Sequence, residues 1–209
     1  MLYACCMLTG AAPHASRAVD PRPARTRAAI YGALDRLGTR GEHLTVAAVV
    51  AEAQVSRSSF YAQFQDLDDV AVQLMSELFA DIQRMDANMR RGEGARDATS
   101  ACLKRFFTEC QSRPGLYGAA LNGDLSSEAR HRIYEILARS VTATAGFSAP
   151  RSVDPQIAAT FIAAGLLAVV TEWLRCRQPT TEEHLRAQLM SLLPGWVVDP
   201  PEPTGNLDA

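Results

Sequence analysis

The chain has 209 residues, of which 47% are hydrophobic and 21% are charged, and its formal net charge at pH 7 is −2. This is the profile of a globular protein that buries a sizeable core, as one medium domain or a small domain fused to a larger one. Met1 to Leu8 is apolar but has no basic start and no adequate hydrophobic continuation. The composition therefore predicts neither a signal peptide nor a membrane span there.

Residues 1–22 are predicted to form a disordered arm, because the stretch from Ala11 to Pro23 is rich in Ala, Pro and Arg. Its arginines leave two interpretations open. Either the arm reaches into a minor groove of DNA, or it is a tail without a role in binding.

A first helix is predicted from about Ala24 to Leu37, because apolar residues recur there at helical spacing, and Gly38 and Gly41 end it. The segment Leu44–Phe64 then reads as two short helices joined by a tight turn. Thr45 and Ser56 are suited to cap these helices, since each hydroxyl can accept a hydrogen bond from a free first-turn N–H.

Apolar side chains occupy one stripe on each of these two short helices, and polar side chains occupy the rest of the second. The stripe residues are Val46, Val49, Val50 and Ala53, and then Val55, Phe60 and Phe64. The residues left exposed are Arg57, Ser58, Ser59, Tyr61 and Gln63. One planar guanidinium among short hydroxyl and amide groups is a surface suited to a DNA groove.

At these residues the sequence resembles the DNA-binding domain of the TetR family of bacterial transcriptional regulators. The family pattern appears here as Thr45, Val49-Val50, Ala53-Gln54-Val55-Ser56, and Tyr61 with Phe64. The match covers roughly a quarter of the chain. It implies a helix-turn-helix head (residues 23–66) and a helical effector-binding and dimerisation body (67–196). The predicted DNA-binding residues are Arg25, Thr45, Ser56, Arg57, Ser58, Ser59, Tyr61 and Gln63.

Three positions depart from the family pattern. Gln54 replaces the turn glycine, where a left-handed conformation favours glycine by about 1 kcal/mol. Val50 replaces a small alanine. Leu67 replaces a lysine that commonly contacts a phosphate, which removes a positive charge from the start of the next helix.

Charge is divided unevenly along the chain. From Arg22 to Gln65 there are six arginines and three carboxylates, an excess of three positive charges, whereas the residues from Asp66 onward carry a net charge of −5. A positive head on a negative body suits a protein that touches phosphates with one end, although chance also produces such an asymmetry.

The remainder of the sequence predicts an all-α body. Asp66 is suited to cap a helix that runs to about Met89, and a polar break follows over Arg90–Arg96. Further helices are predicted at Ala98–Gln111, from Pro114 to Leu121, from Ser126 or Ser127 to Thr144, from Asp154 to Cys176, and at Thr181–Leu193. Residues 197–209, Pro-rich and acidic, are predicted to be a disordered tail.

Ile157–Thr171 contains no charged residue, so a helix there must be buried on all sides. Its fifteen residues are too few to span a bilayer, and no membrane partner is predicted. We expect this helix and the last one to form a homodimer seam, as the resemblance implies; a central core helix in a monomer is the alternative. The predicted seam residues are Ala164, Ala168, Leu185, Leu189 and Leu192.

No catalytic or metal-binding constellation is recognisable, so neither an enzyme, nor a cofactor, nor a metal site is predicted. The histidines are scattered: His14, His43, His131 and His184. The five cysteines lack metal-ligand spacing and are expected to be free thiols in a reducing cytoplasm. A redox sensor at Cys102 and Cys110 is the alternative, but these residues lie about two helical turns apart and cannot pair within one helix.

The resemblance also implies an effector pocket in the body. Its predicted lining residues are Phe106, Tyr117, Asn122, Tyr134, Phe161 and Trp173. Such a lining favours a hydrophobic or aromatic small molecule, which the sequence does not identify further. The alternative is that these aromatic residues form a packed core.

The sequence as a whole predicts a cytoplasmic, ligand-responsive regulator that acts as a homodimeric repressor on a palindromic double-stranded DNA operator. The rival interpretation is a helical binding or structural protein with a degenerate DNA-binding head, for which Leu67 and Gln54 are the argument.

Overall fold

A computed structural model describes residues 21–122, 125–145, 149–176 and 180–200. Within these residues the chain forms helices and no strand, which confirms the all-α fold class. The helices are α1 (Arg22–Thr39), α2 (Val46–Ala53), α3 (Arg57–Tyr61), α4 (Leu67–Gly92), α5 (Ala95–Ser112), α6 (Pro114–Asn122), α7 (Ser127–Ala145), α8 (Pro155–Arg175), α9 (Glu182–Leu192) and α10 (Gly195–Val198).

Side-chain caps begin most of these helices at the positions that the sequence predicts. The Asp66 carboxylate accepts a hydrogen bond from the Asp69 amide at 2.7 Å, which fixes the start of α4. The same device operates at Thr45, Ser56, Ser126, Asp154 and Thr181. Each cap satisfies a first-turn N–H that has no partner inside the helix.

Several boundaries differ from the prediction. The polar break predicted over Arg90–Arg96 shrinks to Glu93 and Gly94, because α4 continues to Gly92 and α5 begins at Ala95. The first helix begins at Arg22, because Pro23 fits a first helical turn, where its missing N–H is not needed. The predicted disordered tail starts too early: Val197 and Val198 lie in α10 and are buried, and Asp199 pairs with Arg96. Apolar burial and this ion pair order the chain as far as α10; residues 1–20 and 201–209 lie outside the described part.

The first three helices form a head around the fully buried side chains of Ile30, Val49 and Phe60. The long helix α4 leaves this head and continues through the body, where it packs against α5 and α7. Helix α8 packs on α7, and α6 lies between α1 and α8. The hydrophobic core is therefore continuous from head to body.

Head and body meet at a backbone contact between α1 and α6. A Cβ atom added to Gly38 would lie 2.9 Å from the Gly115 Cα, and one added to Gly115 would lie 2.5 Å from the Thr39 amide nitrogen. Both distances are shorter than real Cβ contacts, so only glycine fits at either position. Beside this contact the Asp35 carboxylate accepts a hydrogen bond from the Leu116 amide at 3.0 Å. We call the contact of Gly38, Gly115, Asp35 and Leu116 the joint.

Replacing Gly115 with alanine is expected to lower the free energy of unfolding by about 1–3 kcal/mol, because the new methyl group overlaps the α1 backbone. Gly118 on the same helix is the matched control, since a Cβ there meets no atom within 4 Å. Gly118→Ala is expected to raise stability by about 0.5–1 kcal/mol. Urea denaturation measures both, and equal effects of the two substitutions would contradict the close contact.

Candidate nucleic-acid interface and ligand cavity

The turn between α2 and α3 is a Schellman motif with a glutamine in the left-handed position. Gln54 has φ 55° and ψ 39°, the Gln54 amide donates to the Ala51 carbonyl at 3.2 Å, and the Val55 amide donates to the Val50 carbonyl at 3.1 Å. The turn therefore has the geometry expected of a glycine, and the predicted departure at Gln54 leaves the fold intact.

A rigid aromatic core supports α3 from behind. Phe60 and Phe64 are buried, with ring centroids 5.8 Å apart, and the Tyr31 ring lies 6.0 Å from Phe64. Burial, followed by the charge of Glu77, raises the pKa of Tyr31, so its hydroxyl stays protonated and packs as part of the core. These contacts hold α3 so that its other side faces solvent.

The predicted DNA-binding residues lie on or beside α3, at the start of α2 and on α1, and most of them are exposed. Arg25, Thr45, Ser56, Arg57, Ser58 and Tyr61 are exposed, whereas Ser59 and Gln63 are half-buried. Tyr61 is 56% exposed and stands edge-on to Phe60, with ring centroids 5.4 Å apart. The Ser56 hydroxyl lies 2.8 Å from both the Ser58 and the Ser59 hydroxyl, so these three serines share one hydrogen-bond network.

The arginines of the head differ in whether a carboxylate holds them. The ion pairs are Arg27 with Glu77, Arg36 with Glu52, and Arg40 with Glu42 and Glu52. Arg25 and Arg57 have neither an ion pair nor a side-chain hydrogen bond within the described part of the chain. The sequence does not show which arginines are held by carboxylates, since this depends on which acidic side chains the fold brings close to them.

A cavity of about 130 Å³ lies in the body between α4, α5, α7, α8 and α10. Its wall is mainly apolar, with Phe79, Ile82, Leu103, Phe106, Leu137, Val141, Ile162, Leu166, Leu167, Val170, Leu193 and Val197. Its polar lining residues are Gln83, Asp86, Arg90, Thr99, Cys102, Ser140 and Thr144.

One polar edge of the cavity is a buried ion pair. The Arg90 Nε lies 3.0 and 2.8 Å from the two Asp86 carboxylate oxygens. The same guanidinium donates to the Thr99 hydroxyl at 2.9 Å and to the Val197 carbonyl at 3.3 Å. Burial, followed by the charge of Asp86, raises the pKa of Cys102 to about 12, so its thiol is neutral. This pair was not predicted, although Asp86 and Arg90 stand at the i, i+4 spacing of helical ion pairs.

Of the predicted pocket residues, Phe106 alone lines this cavity. Tyr117 and Trp173 are buried in the core: the Tyr117 hydroxyl donates to Glu109 at 3.4 Å, and the Trp173 indole N–H donates to the Thr180 carbonyl at 3.0 Å. Asn122 lines a second space, of about 430 Å³, where the head meets the body.

Phe161 and Tyr134 were predicted on the wrong side of their helices. Phe161 is 75% exposed, because α8 turns Ile162 and Leu166 inward instead. Tyr134 is half-buried outside the cavity, and its hydroxyl donates to the Thr160 carbonyl at 3.4 Å. When apolar residues occur on every side of a helix, the sequence does not show which side faces inward.

The residues predicted to form the dimer seam differ in how far they are exposed in the single chain. Ala164, Ala168 and Leu192 are exposed and Leu185 is half-buried. Leu189 is buried within its own chain and is corrected: it packs in the core and cannot contact a second subunit. The single chain covers only one side of α8: Ile157 is 69% exposed on the same side as Phe161, so the expected burial on all sides depends on a second subunit.

The cysteines lie apart within the described residues. Cys102 lines the cavity, Cys110 is buried, and Cys176 is exposed. No group of three His, Cys, Asp or Glu side chains suited to a metal ion occurs in the part of the chain described here. Cys5, Cys6 and His14 lie outside it.

No protein-family model matches the chain, and no curated protein sequence does. Solved structures do match. The fatty acid degradation regulator FadR from Bacillus halodurans superposes with a TM-score of 0.60 at 16% identity, over 84% of this chain and 95% of its own. FadR from Bacillus subtilis, solved in complex with stearoyl-CoA, gives a TM-score of 0.60 at 18% identity, over 81% of this chain and 96% of its own.

A TetR-family transcriptional regulator from Syntrophomonas wolfei superposes with a TM-score of 0.61 at 14% identity, over 85% of this chain and 95% of its own. These likenesses span the head and the body together. The chain therefore has the fold of the TetR family of transcriptional regulators.

Proposed function

We propose that the chain is a cytoplasmic transcriptional regulator that binds double-stranded DNA as a homodimer and changes its affinity when a small molecule occupies the body. The dimer bound at a near-palindromic operator is proposed to block polymerase and so to repress transcription. Binding and release, without chemical turnover, account for all of this activity.

The observation that carries the proposal is that the Arg57 guanidinium, on the exposed side of α3, has no ion pair among the described residues. Three other arginines of the head are held by carboxylates, whereas Arg57 is left available on a surface backed by Phe60 and Phe64. A free, planar guanidinium can donate two hydrogen bonds to one guanine in the major groove. Arg57 is therefore the proposed base contact.

Phosphate contacts are proposed at the edges of this surface. The Tyr61 hydroxyl is exposed, and Thr45 stands at the start of α2, where backbone N–H groups favour a negative charge. Arg25 is exposed near the start of α1 and adds a positive charge. Such contacts position the head and carry no sequence information of their own.

The proposed dimer seam is the exposed apolar side of α8. At 21 residues α8 is longer than the uncharged stretch that predicted it, and by length and composition alone it could cross a membrane, as core helices of soluble proteins also could. Its inner side, with Ala163 and Trp173, packs in the core. The outer side combines Phe161 with the small residues Ala164 and Ala168, which permit close approach of a second helix. We therefore propose that a second copy of the chain packs against this side of α8.

A two-fold axis through α8 gives one surface patch on both subunits and holds two heads at a fixed separation. That arrangement suits two successive major grooves of an inverted repeat. Helix α4 and the joint at Gly38 and Gly115 connect each head to the cavity. Ligand binding shifts DNA affinity by its difference in affinity for the two arrangements of the head.

One observation favours the rival, a helical binding protein whose head no longer binds DNA. Leu67 opens α4 and packs against the core, so it offers no charge to a phosphate. The salt dependence of DNA binding separates the two functions, because neutralisation of phosphates makes affinity fall steeply with salt.

Arg57→Ala is expected to cost about 1–3 kcal/mol in binding to a duplex selected from a random pool by the unmodified chain, and less on unrelated duplexes. Arg139→Ala, which removes an exposed arginine from α7, is the control and is expected to leave DNA affinity unchanged. Fluorescence anisotropy at two salt concentrations measures both. Equal losses on all duplexes would make Arg57 a phosphate contact, and failure to enrich any duplex would favour the rival.

Ala164→Arg is expected to yield a folded monomer, because an unpaired charge in an apolar seam opposes association while the residue is exposed in the single chain. Ala143→Arg, at an exposed alanine of α7, is expected to stay dimeric. Sedimentation equilibrium gives the mass, and circular dichroism checks the fold. A dimeric Ala164→Arg variant would place the interface elsewhere.

A further inference from the structure

The cavity in the body is large enough for a molecule of about one ring. Its volume is about 130 Å³, and an apolar protein cavity of about 150 Å³ holds a benzene molecule. Its wall is mainly apolar, so an occupant gains most of its affinity from burial of apolar surface.

The charged groups of the wall compensate each other. Among the described residues that line the cavity, Asp86 and Arg90 alone carry charge. They form an ion pair in which the Arg90 Nε–H contacts both oxygens of the Asp86 carboxylate. Further hydrogen bonds occupy Arg90 at Thr99 and at the Val197 carbonyl. An anionic ligand would meet an ion pair with no net charge, so its own charge would stay uncompensated beside a mainly apolar wall, which is unfavourable.

Helix α7 places two hydroxyl groups in the same wall. Leu137, Ser140, Val141 and Thr144 follow one another at i, i+3, i+4 and i+7, which is the spacing of one helix face. Neither the Ser140 nor the Thr144 hydroxyl has a hydrogen-bond partner in the described part of the chain. By contrast, the Thr142 hydroxyl donates to the Ala138 carbonyl of its own helix at 2.9 Å, and it does not line the cavity.

Both hydroxyls belong to half-buried residues in the cavity wall and have no protein partner within the described residues, so they remain available to a bound molecule. Each hydroxyl can both donate and accept a hydrogen bond. They are therefore suited to an oxygen atom on a ligand that is otherwise apolar.

We propose that the cavity takes an uncharged, largely apolar molecule of about one ring that carries a single hydroxyl or carbonyl oxygen, which Ser140 and Thr144 bind. This inference rests on the proposed function only in treating the cavity as the effector site. The neutral ion pair and the apolar wall disfavour a free carboxylate as the occupant.

Three probes that share one ring test the proposal on the full chain: benzyl alcohol, toluene and benzoate. Calorimetric titration is expected to give the tightest binding for benzyl alcohol and binding about fivefold to tenfold weaker for toluene, the difference of one hydrogen bond. Benzoate is expected not to bind. Ser140→Ala combined with Thr144→Val is expected to remove the advantage of the alcohol over toluene, whereas Thr142→Val is expected to keep it.

Equal binding of toluene and benzyl alcohol, tighter binding of benzoate, or binding of none of the probes would overturn the proposal. Operator affinity in the presence of each probe separates this result from the proposed function. If toluene and the alcohol bind equally and both weaken operator binding, the proposed function stands and the assigned ligand chemistry falls. If the three probes bind in the expected order and operator affinity does not change, the ligand chemistry stands and the ligand response falls.

Discussion

The joint between α1 and α6 is the constraint on which the arrangement of this molecule depends. Gly38 and Gly115 allow two helix backbones to meet without intervening side chains, and the Asp35 carboxylate fixes the first turn of α6 through the Leu116 amide. Side chains can change rotamer and absorb a small displacement, whereas two backbones in contact must move together. A displacement of one of these two helices is therefore passed to the other almost in full, which couples the head to the body.

The two functional regions lie on either side of this joint. On one side α1 supports the aromatic core that orients α3 and exposes Arg57. On the other side α4 and α8 line the cavity, and α6 packs against both of these helices. Under the proposed function, a ligand that displaces α4 or α8 also shifts α6, which packs against both, and the joint transmits this shift to the head. The Arg90 contact with the Val197 carbonyl adds α10 to the same assembly.

Local chemistry made much of this fold predictable from the sequence. Thr45, Ser56 and Asp66 begin helices because their side chains satisfy adjacent N–H groups, and Gln54 adopts the left-handed turn that its position requires. These are contacts between residues that are neighbours in the sequence.

What could not be predicted depends on residues far apart in the sequence. Helix α8 is apolar on every side, so its sequence did not reveal that Ile162 faces the cavity and Phe161 faces solvent. The contact of Gly38 with Gly115 and the pairing of Arg36 with Glu52 arise only when distant segments pack. Ser140 and Thr144 carried a signal that was overlooked, namely two hydroxyls on the inward stripe of α7.

Hydrogen exchange at the Leu116 amide tests most directly whether the joint couples the head to the body. This amide donates to Asp35, so its exchange reports opening of the joint itself. Binding of a selected DNA duplex is expected to slow exchange at Leu116, because DNA favours one arrangement of the head on the body. Slower exchange confined to α2 and α3, with no change at Leu116, would contradict a coupled head and body.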